Sequence, residues 1–140
     1  MKLRSFRLSD YPHIIELFRD VLSEACFETT MEAFGRQLSW DSDLVIVAET
    51  DDRPVGVIIG TIDKNQGYYY RIAVARGYQR QGIGTALIHK LRERFENRKV
   101  SKIYVTVDNH NEPILPLYES AGYHSEDFFR SYDRLSIVSG

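Results

Sequence analysis

The segment YQRQGIGTAL, Tyr78 to Leu87, connects a predicted strand with a predicted helix. The run GYYYRIAVA before it is typical of a strand, and the residues after it place apolar side chains at the spacing of one helix face. A helix amino terminus presents free N–H groups and the positive end of the helix dipole, so it attracts phosphate. Glycine at Gly82 and Gly84 lets an anion approach the backbone. The segment therefore indicates either a phosphate-binding loop or an ordinary turn.

Two common nucleotide-binding motifs do not fit this segment. Gly77 and Gly82 have the separation of the P-loop glycines, but Ile83 stands where the P-loop requires lysine. The dinucleotide fingerprint would use Gly82 and Gly84, but Leu87 replaces its third glycine, and the glycines do not follow the strand directly. Neither motif explains the segment.

The composition is that of an ordinary globular protein, since 43% of the 140 residues are hydrophobic and 27% are charged. We find no linker or repeat and expect one domain over residues 1–140. A net charge of −2 gives no electrostatic support for a nucleic-acid partner. The single Cys26, with no signal peptide and no long apolar stretch, predicts a cytoplasmic protein without a membrane partner. The four histidines lack metal-ligand spacing, so no metal is expected.

Apolar patterns divide the chain into strands and helices. A strand (KLRSFRL) precedes a helix from Ser9 and Asp10 to about Ala25, and TTME predicts a second helix after Thr29. DLVIVAE and PVGVIIGTI, separated by TDDRP, predict a hairpin. The rest is predicted as strand (GYYYRIAVA), helix (GIGTALIHKLRERFENR), strand (KIYVTVD), short helix (NEPILPLYESAGY) and strand (FFRSYDRLSIV). This alternation predicts a mixed sheet with a parallel pair.

Two motifs together resemble those of a known enzyme family. QRQGIG, Gln79 to Gly84, matches the Gln/Arg-x-x-Gly-x-Gly/Ala pyrophosphate loop of the GNAT superfamily of acetyl-CoA-dependent N-acetyltransferases. NEPILPLYESAGY, Asn111 to Tyr123, resembles that family's Asn-x-x-Ala-x-x-Leu-Tyr-x-x-x-Gly-Phe motif, in the family's order and separation. The motifs are nearest to those of small ribosomal-protein-alanine-acetyltransferase-like members. The resemblance implies an α/β (α+β) GNAT fold, with a mixed, mostly antiparallel sheet, a splayed parallel strand pair and about four flanking helices.

The resemblance also implies a binding site for acetyl-CoA as the acyl-donor substrate. The backbone of Ile72, Ala73 and Val74 would pair with the pantetheine arm in the cleft of the splayed strands. The loop that follows would place its N–H groups on the pyrophosphate. The implied loop residues are Gln79, Arg80, Gln81, Gly82, Ile83, Gly84 and Thr85.

Tyr118 matches the tyrosine that acts as general acid in many GNAT members. A phenol stays protonated at neutral pH and can donate to the departing thiolate of coenzyme A. Asn111 would either hydrogen-bond the cofactor arm or cap its helix. The general base stays unassigned, because Thr106 stands where the ribosomal-protein-alanine acetyltransferases carry a catalytic glutamate.

The acceptor side is less defined by the sequence. Glu16, Asp20 and Glu24 repeat every four residues, which places three acids on one helix face. They form either a solvated face or, with Glu28, an electrostatic funnel for a cationic amine, polyamine or basic peptide. Tyr70 either lines the acceptor pocket or packs across the sheet, and it shares a strand face with the tyrosine two positions earlier.

The sequence thus predicts an N-acetyltransferase that moves acetyl from acetyl-CoA to a primary amine of a small molecule, polyamine or peptide. The transfer would be a direct attack in a ternary complex. The alternative is a non-catalytic acyl-CoA-binding regulatory module, which would show no acceptor-dependent turnover. Either a monomer or a homodimer is compatible with the family resemblance.

Overall fold

The computed structural model describes residues 1–130, which form six strands and four helices joined by short turns. The strands are β1 (Lys2–Ser5), β2 (Val45–Thr50), β3 (Arg53–Asp63), β4 (Gln66–Val74), β5 (Lys102–Val107) and β6 (Phe128–Arg130). The helices are α1 (Tyr11–Val21), α2 (Glu24–Trp40), α3 (Ile83–Asn97) and α4 (Leu115–Ser120). The last predicted strand is present as β6, and its residues from 131 onward lie outside the described residues.

The strands form one mixed sheet in chain order, β1 to β6. The first four strands pair antiparallel, with the predicted hairpin at β2 and β3. β5 then runs parallel to β4, and β6 runs parallel to β5. The connection between β4 and β5 is α3, as a parallel crossover requires. The predicted GNAT fold, with its mixed sheet and four helices, is confirmed.

Alternate side chains of the central strands face two different helix layers. Val45 and Val47 of β2 pack with α1 and α2, whereas Ile46 between them packs with α3. All three side chains are fully buried, so the period-two pattern of the sequence records a sheet covered on both faces. Within the described residues, no helix has the length and apolarity needed to cross a lipid bilayer.

The first predicted helix is divided into two. α1 ends at Val21 instead of about Ala25, and Leu22 has an extended backbone. Ser23 explains the break, because its side-chain oxygen accepts a hydrogen bond at 3.2 Å from the backbone N–H three residues later and so caps α2. The cap requires an extended backbone at the serine, which a continuous helix would not allow.

This break corrects two expectations. α2 begins at Glu24, so a helix start after Thr29 is wrong, and that threonine lies inside α2. Glu24 also lies on a different helix from Glu16 and Asp20, so the three acids do not share one helix face. The three acids do repeat every four residues, but they would share a face only on one continuous helix, and the helix is interrupted between Asp20 and Glu24.

β4 contains a bulge that changes the faces of its side chains. Gly60 of β3 pairs with Tyr69, but the preceding Ile59 pairs with Arg71, so Tyr70 is an extra residue in the ladder. Tyr70 packs on the layer of α1 and α2, opposite Tyr69. Because of the bulge, Arg71 turns to the same layer as Tyr70 instead of the opposite one, and it bonds to α2.

Candidate active site

The parallel pair of β4 and β5 opens into a cleft. Pairing between these strands ends at Tyr69 and Val105, although β4 continues to Val74 and β5 to Val107. In this last part β4 keeps only the pairing with β3. The backbone groups on its other edge therefore face the cleft without a strand partner among the described residues, which is the geometry that accepts an added strand.

Two adjoining cavities fill the cleft. The inner cavity, of about 220 Å³, lies between β4, α4 and the turn after β5. The outer cavity, of about 500 Å³, lies between β4, the loop after it and the start of α3. The residues that line both are Ile72, Ala73, Val74, Gln79 and Ile114. The three strand residues of the predicted pantetheine site are thus the floor shared by both cavities.

The loop into α3 has a sharply turned backbone. Arg80 (φ 63°) and Gly82 (φ 84°) are both left-handed, so the chain turns sharply before α3 begins at Ile83. The first amide of the helix that reaches a backbone carbonyl is that of Ala86, which donates to Gly82 at 3.0 Å. Within the described residues, the backbone amides from Arg80 to Thr85 donate to no backbone carbonyl. The helix dipole favours an anion beside these free amides.

Most of the predicted loop residues lie together at the outer cavity. Those that line it are Gln79, Arg80, Gly82, Ile83, Gly84 and Thr85. Gln81 does not line it, and its side-chain amide points to Gly77 O at 3.4 Å. A Cβ on Gly84 would lie 2.8 Å from Leu117 Cδ2, so glycine there lets α3 approach α4 closely. The loop is held to the strand by the Gln79 side chain, which donates to Val74 O at 2.9 Å.

Tyr118 is the buried phenol of the inner cavity. It lies on α4 with only 1% of its surface exposed, and its ring packs 5.3 Å from that of Tyr69. Burial raises the pKa of Tyr118 well above its ordinary value, although Arg71 acts in the opposite direction. The phenol therefore stays protonated at neutral pH and is available as a donor. Pro116 lies in the first turn of α4, where its missing N–H removes no helical bond.

Arg71 is the buried charge of the site, and the sequence did not single it out. Its guanidinium is 3% exposed and donates to both carboxylate oxygens of Asp108, at 3.3 and 2.9 Å. It also donates to Thr30 Oγ1 of α2 at 2.9 Å and lies 4.8 Å from the centre of the Tyr70 ring. Burial alone would raise the pKa of Asp108, but Arg71 and the His110 N–H hold it below its ordinary value. The pair joins the diverging ends of β4 and β5.

Asn111 is used by the turn that follows β5. Its side-chain oxygen accepts from Asp108 N at 2.9 Å, and its side-chain amide donates to Thr106 O. The side chain makes no capping bond to the helical turn after it, so the capping alternative is wrong. Asn111 does line the inner cavity. Thr106 is buried, and its hydroxyl has no hydrogen-bond partner within the described residues.

The predicted acceptor residues divide between two places. Tyr70 lines the inner cavity, and Tyr68 on the same face packs against Tyr104 at 5.4 Å. Glu24 and Glu28 are exposed on α2 and line a separate surface groove with Arg19, Leu22 and Phe27. Leu22 is shared by this groove and the inner cavity, so the acids lie beside the inner cavity and not within it. Within residues 1–130, no three His, Cys, Asp or Glu side chains are grouped to hold a metal ion.

Comparison with known proteins gives the same family as the two motifs. A family model described as acetyltransferase (GNAT) family matches residues 11–123. The chain is 33% identical over 128 residues to an acetyltransferase of Sodalis glossinidius (strain morsitans), with 91% of this chain and 89% of that protein covered.

Solved structures show the same fold. The PaiA N-acetyltransferase of Thermoplasma acidophilum, in complex with coenzyme A, has a TM-score of 0.69 at 18% identity, with 88% of this chain and 89% of that one covered. The ribosomal-protein-S18-alanine N-acetyltransferase of Escherichia coli has a TM-score of 0.65 at 23% identity, with 88% and 77% covered. The family match spans most of the chain, and the relative exceeds 30% identity over nearly its full length. This chain therefore belongs to the GNAT family of acetyltransferases.

Proposed function

We propose that residues 1–140 form a single N-acetyltransferase domain that transfers acetyl from acetyl-CoA to a primary amine by direct attack in a ternary complex. As a GNAT acetyltransferase, the chain uses acetyl-CoA as acyl donor. One observation carries the proposal: the open edge of β4 lines both the outer cavity, where the α3 loop lies, and the inner cavity, which Tyr118 also lines.

The acyl donor would bind along this edge. Its pyrophosphate would accept hydrogen bonds from the free loop amides between Arg80 and Thr85 in the outer cavity. Its pantetheine amides would pair with the backbone from Ile72 to Val74, as an added strand pairs with a sheet edge. This placement directs the thioester into the inner cavity, where Tyr118 lies.

In the inner cavity the amine nitrogen would attack the thioester carbon. The C–N bond forms, the C–S bond breaks, and the departing sulfur receives a proton from Tyr118. Most of the rate would come from holding the two substrates together, which can supply about 7–11 kcal/mol of the barrier. General acid catalysis by a positioned side chain adds about 10²–10⁴-fold.

The acceptor would be a primary amine of a small molecule, polyamine or peptide. The inner cavity admits only a slender group, since its volume is about 220 Å³ and its walls include Val21, Leu22 and Ile72. Glu24 and Glu28 would attract a positive charge on a part of the acceptor that remains outside the cavity. Arg19 in the same groove reduces this effect.

The test is release of the coenzyme A thiol from acetyl-CoA in the presence of four acceptor classes: polyamines, small amines, amino acids and protein amino-terminal peptides. Tyr118→Phe should lower kcat about 100-fold while acetyl-CoA affinity, measured by calorimetry, stays within a few-fold. Tyr104→Phe, on β5 outside the cleft, is the matched control and should keep full activity. Tight acetyl-CoA binding without turnover of any acceptor would contradict the proposal and favour a non-catalytic acyl-CoA-binding module.

A further inference from the structure

His110 lines the inner cavity, and the sequence motifs assign it no role. A primary amine is mostly protonated at neutral pH, so its nitrogen must lose a proton before it attacks the thioester. Among residues 1–130, the other titratable groups that line this cavity are Cys26, Tyr70, Arg71 and Tyr118.

The other four groups are poor proton acceptors. Burial raises the pKa of Tyr70 and of Tyr118, so both remain protonated and can only donate. Arg71 carries a permanent charge that Asp108 neutralises. Cys26 is buried, and its sulfur lies 3.8 Å from Thr30 Oγ1 in α2. An imidazole is the side chain that accepts and releases protons near neutral pH.

The backbone of His110 is held by the turn after β5. Its backbone N–H donates to Asp108 Oδ1 at 2.8 Å, and the next amide donates to the same oxygen at 3.2 Å. Asp108 is in turn held by the buried Arg71, so the turn is tied to β4 on the opposite side of the cleft. The side chain is half-buried, so its proton can pass to solvent.

We propose that His110 is the general base of this acetyltransferase and that its imidazole accepts the proton lost by the acceptor nitrogen. The inference rests on the proposed function, because it supplies the base for that reaction. His110 first accepts the ammonium proton of the bound amine and releases it to solvent. The neutral nitrogen then attacks, forms the C–N bond and passes a second proton to His110. The C–S bond breaks, and the sulfur takes a proton from Tyr118. Passage of the His110 proton through solvent to the Tyr118 phenolate restores both groups, and the products are an amide and a thiol.

The charged side chains beside the turn that carries His110 are paired with one another. Asp108, directly after β5, and Arg71 of β4 form a closely bonded pair, so their opposite charges largely cancel. Glu112, in the turn that follows, is exposed and paired with Arg130 at 2.9 Å. With His110 as the base, kcat should rise with pH and then level off once the base has lost its proton.

The experiment compares wild-type protein with His110→Gln, and His89→Gln on the exposed face of α3 is the matched control. Two acceptors are used with saturating acetyl-CoA: the amine with the highest turnover in the panel above, and hydroxylamine, which is small and uncharged at neutral pH. With the amine, His110→Gln should lower kcat about 100-fold and should remove the rise of kcat with pH. With hydroxylamine, after subtraction of its spontaneous reaction, the loss should be below about 10-fold, because no ammonium proton has to be removed before attack.

The outcomes separate this inference from the proposed function. An active wild type whose His110→Gln variant keeps kcat within about two-fold, or keeps the same pH profile, overturns the role of His110 and leaves the acetyltransferase proposal intact. A wild type that turns over neither acceptor above background overturns both. Calorimetry with acetyl-CoA shows whether the variant is folded: an unchanged affinity with the specific loss of the amine reaction supports His110 as the base.

Discussion

Asp108→Asn should destabilise the protein, because it removes the counter-charge of the buried Arg71 guanidinium. The Arg71 side chain is 3% exposed, and among residues 1–130 its other polar contacts are with uncharged groups, Thr30 and Tyr70. Breaking a buried ion pair by removing one partner costs about 3–5 kcal/mol. The Asp108 side chain is 26% exposed, so water screens part of this interaction, and we expect a loss of about 2–3 kcal/mol.

The reverse change should be milder. Arg71→Met leaves the Asp108 carboxylate partly exposed and still bonded to the backbone N–H groups of His110 and Asn111. We expect this variant to lose about 1–2 kcal/mol. In the double variant neither charge remains, so its loss should be smaller than the sum of the two single losses by at least about 1 kcal/mol.

Urea unfolding followed by circular dichroism measures these free energies of unfolding. With an m-value of about 1–3 kcal/mol per molar urea, the midpoint for Asp108→Asn should fall by about 0.7–3 M. Glu112→Gln is the control, since its partner Arg130 is exposed and a surface pair contributes little. Losses at Arg71 and Asp108 that simply add, within about 0.5 kcal/mol, would refute the role of the buried pair.

Urea unfolding at different pH values tests whether the ionised form of Asp108 stabilises the protein. The pKa of Asp108 is lower in the folded protein than in the unfolded chain, because Arg71 and the His110 N–H outweigh the effect of burial. The stabilisation is therefore complete above the unfolded pKa of about 3.9 and is lost as the pH falls through the lower folded value. The difference between wild type and Asp108→Asn should shrink below about pH 4. An unchanged difference in acid would contradict the charge argument.

Two further predictions concern the loop before α3 and the surface groove lined by Glu24 and Glu28. Gly82→Ala should weaken acetyl-CoA binding in calorimetry and cost about 1–2 kcal/mol of stability, because its φ of 84° disfavours a side chain. Gly77→Ala is the control and should change neither property. A Cβ at Gly77 would meet no atom within 4 Å, and the φ of this residue is not left-handed. Glu24→Gln combined with Glu28→Gln should raise KM for spermidine a few-fold at low salt, with little change for an uncharged acceptor. A KM for spermidine that does not change would exclude the funnel.

The sequence could indicate which residues lie together around the loop into α3, because that region is local. A strand, a glycine-containing loop and the first turn of a helix follow one another between Ile72 and Thr85, and contiguous residues carry their own spacing. The helix break at Ser23 was missed for the opposite reason. The apolar stripe continues through it from Ile14 to Ala25, so periodicity favoured one helix, and one capping bond decided against it.

The Arg71–Asp108 pair could not be predicted, because it depends on long-range pairing. A strand without a bulge would place Arg71 on the face of Tyr69, away from α2. Only the register against β3 shows that Tyr70 is an extra residue, and Asp108 is 37 positions away in the chain. The signal that was present is compositional: an arginine inside an apolar strand requires a buried partner.

The bulge at Tyr70 connects the parts of this site into one arrangement. The bulge turns Arg71 toward α2. Backbone pairing between β4 and β5 has already ended at this point, so only a side chain of β4 reaches the end of β5. The Asp108 carboxylate accepts hydrogen bonds from the Arg71 guanidinium and from the backbone N–H of His110. The bulge therefore ties the turn that carries His110 to the part of β4 whose edge is open. Loss of the Arg71–Asp108 pair should therefore displace His110 and lower kcat. It should lower the affinity for acetyl-CoA less, because the loop before α3, which we propose binds acetyl-CoA, contacts neither residue.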